Sequence, residues 1–343
     1  MAYTDIDKPS DYFNTVLYTG NATNPKAITG VGFQPDWVWI KDRDNTFNHQ
    51  VHDVVRGADQ GLLPNTTNAE ADYNSFVSFD SDGFSVTGAN GTNTNSADLV
   101  AWNWLASNST TSNTDGSITS TVSANTTSGF SIVGYTGNAT TGATIGHGLG
   151  VTPDVIIAKS RASADNWGFF HSSFSSQQYM FLNTTAAKAS ASSVWNALPG
   201  SSVFTVGDNA SVNDNGNMIA YCFAEKKGFS KFGSYTGNGN ADGTFVYTGF
   251  KPAFVIMKRT DTTENWLIKD SVRDSFNVAD KRLFANLDQA EGTSANGSID
   301  ILSNGFKQRG SDIITNASGG TYIYMAFAEN PLVGTNNIPA TAR

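Results

Sequence analysis

YTGNATTGATIGHGLGVTPDVIIAK, residues 135–159, lays out a plan that the chain writes three times: a tight YTGN turn, a Gly-rich loop, then a Pro and an apolar run ending in Lys. The same plan stands at 18–41 (YTGNATNPKAITGVGFQPDWVWIK) and at 235–258 (YTGNGNADGTFVYTGFKPAFVIMK), with nearly equal spacing from Tyr to Lys. Gly20 and Asn21 read as the φ > 0 positions of the turn. Pro35 reads as a strand start, where a missing N–H costs least. Trp37 and Trp39 are two apart, so a strand turns both to one side.

Outward from this stretch, each copy carries further short apolar runs between polar turns. Ser75–Phe79 and Phe84–Val86 flank Asp80-Ser81-Asp82-Gly83 as a hairpin. Val100, Trp102 and Trp104 share one face of the run that closes the first copy. Copies two and three keep register: Trp167 answers Trp266, and Phe223-Ala224-Glu225 answers Phe327-Ala328-Glu329. The expectation is an all-β protein of three tandem β-sandwich-like repeats, each of about 100 residues with no amphipathic helix. Propeller blades are about half that length. The boundaries are an N-terminal arm 1–11, repeats at 12–105, 129–228 and 229–329, a Ser/Thr/Asn-rich linker 106–128 and a C-terminal arm 330–343. Within the linker, Ile118 and Val122 could form a short edge strand.

Composition agrees. The 343 residues are 39% hydrophobic, enough for a sizeable core, but only 15% charged. Gly, Asn, Ser and Thr fill the gap, which suits short strands and polar turns. A net charge of −9 gives no electrostatic footprint for nucleic acid. Cys222 is alone, so a disulfide framework within the chain is excluded, and the thiol reads as a packed apolar group. No secretory h-region and no apolar run of membrane-spanning length is visible, so the expectation is a soluble protein made in a cytoplasm, without membrane insertion.

Candidate chemistry is sparse. Asp80–Gly83 resembles half a calcium loop, but the position that would need a bidentate Glu is Gly91, so the stretch reads as a turn and no metal site is expected. The histidines His49, His52, His147 and His171 show no metal spacing and read as solvated strand residues, with His52, His171 and Asp270 at matching places. Lys41 and Arg43, Lys159 and Arg161, and Lys258 and Arg259 follow the three apolar runs, as strand-end charges paired with carboxylates such as Asp53 or Asp270. Most tryptophans sit at strand spacing and read as core. Trp195 lies in a loop without a clear counterpart in the other copies. It is the candidate ligand contact, with a loop anchor as the other reading.

The opening MAYTDIDKPSDYFNTVLYTGN, the phrase GFQPDWVWIK, the junction NTDGSITSTVSANTTSGFSIVGYTGN, the run KFGSYTGNGNADGTFVYTGFKPAFVIMKRT and the ending GGTYIYMAFAENP with its final TAR resemble a repeat-containing protein family of marine tailed bacteriophages. The resemblance covers essentially the whole chain. That family's domain has no assigned activity and sometimes stands beside concanavalin/laminin-G-like modules. The resemblance implies a virion structural protein assembled in the host cytoplasm: a tail-fibre, tail-tip or capsid-surface appendage contributing to assembly and host attachment. It transfers no catalytic residues and no cofactor, so no enzyme is expected. Tyr3, Ile6, Pro9, Pro331, Leu332 and Ile338 in the two arms are the candidate docking residues, with other virion proteins as partners, a homo-oligomer (a trimer) as the assembly and a host surface glycan as a further partner. The alternatives are a carbohydrate-binding receptor module and a polysaccharide depolymerase with two carboxylates facing a cleft.

Overall fold

A computed structural model describes residues 4–334. The chain is all-β, and its strands pair antiparallel. Three successive groups of strands, here called units, share one connectivity. The large sheet of unit 1 runs in spatial order Phe13–Thr19, Asp98–Trp104, Trp37–Asp42, Gln50–Asp53, Gly57–Leu62. In unit 2 the same order is Phe130–Thr136, Asn217–Phe223, Val155–Ser160, Gly168–His171, Gln178–Phe181, Ala189–Ser190. In unit 3 it is Ser230–Thr236, Thr321–Pro331, Phe250–Arg259, Leu267–Asp270, Lys281–Phe284, Gly292–Thr293. The first long strand of each unit therefore lies beside its last.

A small sheet covers one face of each large sheet. It is Lys26–Thr29, Gly83–Val86 and Phe76–Asp80 in unit 1, Ala143–Gly146 with Val203–Val206 in unit 2, and Phe245–Tyr247, Gly305–Gln308 and Ile299–Leu302 in unit 3. The other face of each large sheet turns to a common centre. Side chains alternate accordingly. Val38 and Ile40 meet Ile28, Phe84 and Val86 inside unit 1, whereas Trp37 and Trp39 join the central cluster. With both faces covered, the strands read as continuous apolar runs rather than alternating ones.

Aromatic rings close the centre across all three units. Trp37 stacks on Tyr221 at 4.5 Å between centroids, Trp104 meets Phe254 at 5.8 Å, and Phe223 meets Phe327 at 5.8 Å. Each fully buried aromatic side chain contributes on the order of 1.5–3 kcal/mol. All seven tryptophans are buried.

The YTGN copies are latches. The Tyr18, Tyr135 and Tyr235 hydroxyls donate to the carbonyls of Thr92, Val212 and Thr315 at 2.6, 2.6 and 2.7 Å. The Asn21, Asn138 and Asn238 N–H groups donate to the side-chain oxygens of Asn93, Asn213 and Asn316. The glycine is required by close approach and not by the φ > 0 expected from the sequence. A Cβ on Gly20, Gly137 or Gly237 would lie 2.0, 2.1 or 2.3 Å from a carbonyl oxygen. The left-handed residue comes later, at Ala22, Ala139 and Gly239.

Two expected boundaries are corrected. The 106–128 segment is no free linker: Thr111–Asn113 and Ser120–Asn125 extend the large sheet of unit 2 to eight strands. The described parts of the arms, 4–11 and 330–334, also belong to the body. Ile6 is 4% exposed within the central cluster, Pro9–Asp11 forms a 3-10 turn with Pro9 buried, and Asn330 and Pro331 complete a strand opposite Lys251 and Phe250. Only 1–3 and 335–343 remain beyond the described residues.

Candidate functional site

Trp195 is 2% exposed, with its ring against Phe170 and Phe204. It bridges to Val206 and so takes the place that Phe76, opposite Val86, and Ile299, opposite Gln308, hold in the other small sheets. It has counterparts after all, and it anchors a core with no face left for a ligand. Its indole N–H has no hydrogen-bond partner in the structure. Of the docking candidates, Ile6, Pro9 and Pro331 are buried and Leu332 is half-buried, while Tyr3 and Ile338 lie outside the described residues. The chain ends still converge: the Asp5 N–H donates to the Lys227 carbonyl at 2.9 Å, and a Cβ on Gly228 would touch both Thr4 and, at 3.4 Å, Pro331.

The charged clusters that could suggest chemistry lie at the junctions between units. Between units 1 and 2, Arg56 is buried on Asp53, reaches Glu70 at 3.2 Å and is joined by Arg161, which meets Glu70 at 2.7 Å. The Tyr221 hydroxyl completes this set, donating to Asp53 at 2.7 Å. Between units 3 and 1 the arrangement repeats: Arg273 binds Asp270 and Glu291, Arg43 reaches Glu291 at 2.7 Å, and the Trp102 indole N–H donates to Asp270 at 3.1 Å. Burial works against the charge of Arg56, but Asp53, Tyr221 and Glu70 outweigh it and hold its pKa above the usual value. Burial likewise opposes the Glu291 charge, and Arg43 and Arg273 prevail, so its pKa is lowered.

Between units 2 and 3 the same places hold different groups. The pairs Trp37–Asp53, Val155–His171 and Phe254–Asp270 set the register, so His171 answers Asp53 and not His52 as the sequence suggested. Phe174 stands for the arginine and Lys188 for the glutamate, with the Lys188 ammonium 5.5 Å from the Phe174 ring. His171 Nε2 lies 3.2 Å from the Tyr324 carbonyl.

What stays constant is the backbone. The Glu70, Lys188 and Glu291 N–H groups donate to the carbonyls of Arg161, Thr260 and Arg43 at 3.0, 2.9 and 2.6 Å. Ring N–H donors follow the same cycle: Trp167 to the Leu63 carbonyl and Trp266 to the Phe181 carbonyl, each at 3.1 Å. In unit 1 His49 fills this role. Its Nδ1 accepts from the Trp39 indole, so its Nε2 carries the proton facing the Phe284 carbonyl 3.0 Å away.

The histidines are therefore buried rather than solvated. Burial lowers all four pKa values, His171 to about 4 and His52 to about 3. Lys41, Lys159 and Lys258 do not pair with Asp53 or Asp270. Their ammonium groups bond backbone carbonyls, those of Asp42 and Asn45, Ser160 and Ser163, and Arg259 and Thr185, and burial lowers each pKa to about 8. Asp36, pushed up to about 6 by burial, fastens a turn by accepting the Ala106 and Asn108 N–H groups. Each of these histidines, lysines and Asp36 thus has a structural partner. Among the described residues no cluster of His, Cys, Asp or Glu is placed to hold a metal ion.

The exposed apolar groups concentrate on unit 3. Phe245 and Tyr247 project from the edge of its small sheet, and Phe276 caps a loop at 78% exposure beside Val278. No helix of the described residues is long and apolar enough to cross a membrane. No curated protein matches the chain. Residues 8–331, the whole of the three-unit body, match a family described as a domain of unknown function, DUF7483, and the chain belongs to that family.

Proposed function

We propose that the chain is a virion structural protein of a tailed bacteriophage, a tail-fibre, tail-tip or capsid-surface appendage that serves particle assembly and host attachment. The observation that carries this reading is the use of its buried charges. Glu70 meets Arg161, Glu291 meets Arg43, Asp53 accepts from Tyr221 and Asp270 accepts from Trp102, each across a junction between units, while Arg56 and Arg273 hold these carboxylates from within their own unit. The product is one body of three units in which Thr4 and Pro331, near the two limits of the described residues, meet at Gly228, as suits a mounted part. The sequence resemblance points the same way. Trp195, on which a carbohydrate-binding reading rested, is inside a core, so that reading would need another aromatic.

Mounting is assigned to segments 1–3 and 335–343, which lie outside the described residues, with copies of the chain associating at the mount. Deleting both segments spares every described contact. The expected result is loss of the protein from purified particles, measured by quantitative mass spectrometry, with an unchanged melting temperature. Undiminished incorporation of a folded variant would sink the mounting role.

A further inference from the structure

Each large sheet has its first long strand toward one side, and the three units treat that strand's outer edge differently. In unit 2 it is filled. Ser120–Asn125 runs antiparallel along Phe130–Thr136, pairing Ser120 with Tyr135 and Val122 with Val133. Just before it, Ile118 bridges to Ile145 of the small sheet. Ile118 and Val122 are buried, and the Ser120 hydroxyl donates to the Gly146 carbonyl at 2.7 Å. The segment closes the open side of the sandwich.

In unit 1 the matching side carries Lys26 on the small-sheet edge strand, a charge of the kind that discourages strand pairing. In unit 3 no strand among the described residues pairs with Ser230–Thr236 on its outer side. Phe245 and Tyr247, 44% and 57% exposed, rim that side. Next to them lies a groove of about 300 Å³ walled by Ser230, Lys231, Tyr247, Thr248 and Leu332. Val133 is fully buried beneath its covering strand, whereas its counterpart Gly233 is partly exposed.

The hydrogen-bonding phase is right for an incoming strand. The Ala328 N–H donates to the Phe229 carbonyl. Antiparallel alternation then turns Lys231, Gly233 and Tyr235 inward to the neighbouring strand and leaves the N–H groups of Phe232, Ser234 and Thr236 on the outer edge, that of Ser230 being taken by the Lys226 carbonyl.

We infer that the outer edge of Ser230–Thr236 accepts an extended strand from another protein, with small and apolar side chains at alternate positions. The chain itself displays the chemistry of this occupant, because Ile118, Ser120 and Val122 do the same work on the same architecture in unit 2. Main-chain hydrogen bonds hold the incoming strand, and the groove beside Tyr247 selects its side chains. The inference concerns binding by the isolated protein and does not rest on the virion reading.

The test titrates a labelled peptide of residues 116–126 onto the full chain and follows fluorescence anisotropy. Saturable binding is expected. Ser234→Pro removes an outward N–H and leaves the inner ladder intact, and should weaken binding about tenfold or more. Leu17→Pro, at the matching place in unit 1, should leave it unchanged. Tyr247→Ser, which does not disturb the backbone, should also weaken it. Absence of saturable binding, or binding indifferent to both Ser234→Pro and Tyr247→Ser, overturns the inference. A concentration-dependent dimer that Ser234→Pro abolishes, seen by mass photometry, would put a second copy on the edge and overturn the stated occupant.

Discussion

At the junction of units 3 and 1 stand Asp270, Arg273, Glu291, Arg43 and the Trp102 indole; at the junction of units 2 and 3 the same places hold His171, Phe174, Lys188, Thr260 and Met325. Five positions differ together, and the reason is electrostatic. A buried aspartate without its arginine would be an uncompensated charge, and an arginine without its aspartate equally so. Met325 has no donor to offer a carboxylate, and His171 has none to receive from it. The lesson is that the ring is specified by its backbone contacts and its apolar centre, while the side chains between them come as interchangeable sets.

That comparison is broken most severely by mixing the sets. Asp270→Ala leaves the Arg273 guanidinium buried and half-paired, and should cost about 3–5 kcal/mol in urea unfolding. Transplanting three of the five members, Asp270→His, Arg273→Phe and Trp102→Met together, with Glu291 still paired to Arg43, should recover much of that loss. A triple variant no more stable than Asp270→Ala would refute the idea of interchangeable sets. Trp266→Phe tests the constant part. It removes the Trp266 donor from the Phe181 carbonyl, which keeps only the longer bonds from Thr184, and should cost about 0.5–1.5 kcal/mol, read as a lowered denaturation midpoint with an unchanged slope.

The gentlest probe is pH. His171 is held neutral by burial, with its pKa lowered from 6.5 to about 4. The unfolded chain therefore takes up this proton first. The contribution is fully present above about pH 6.5 and is lost as the pH falls toward 4. His171→Gln should flatten the stability profile in that window relative to the unsubstituted chain. Parallel profiles would show that His171 carries no such linkage.

How much of this could be seen in the chain beforehand follows from what a repeat can and cannot encode. Antiparallel β-structure was legible, because Trp37-Val38-Trp39-Ile40 and its copies state period and burial directly. The core role of Trp167 and Trp266 followed from their matching positions. The junction sets were not legible. Their residues come from different units, so Arg161 beside Glu70 has no local signature, and one-residue slips misplace partners: Thr260, not Arg259, answers Arg43 and Arg161. Trp195 looked unmatched because Phe76 and Ile299 share its place and not its chemistry. The 106–128 segment misled through composition. Serine and threonine suit a linker, yet they suit equally well a strand lying on a sheet edge, and Ile118 and Val122 were the local hint of the second.

Thr4 and Pro331 lie against the same glycine, Gly228, while the first and last long strands of every unit run side by side. The order of units around the ring is thus independent of where the chain is cut. A circular permutant that joins residues near 4 and 331 by a short bridge and opens the chain near Glu225–Gly228 would retain each strand pair, so the contacts, rather than the direction of synthesis, define this molecule.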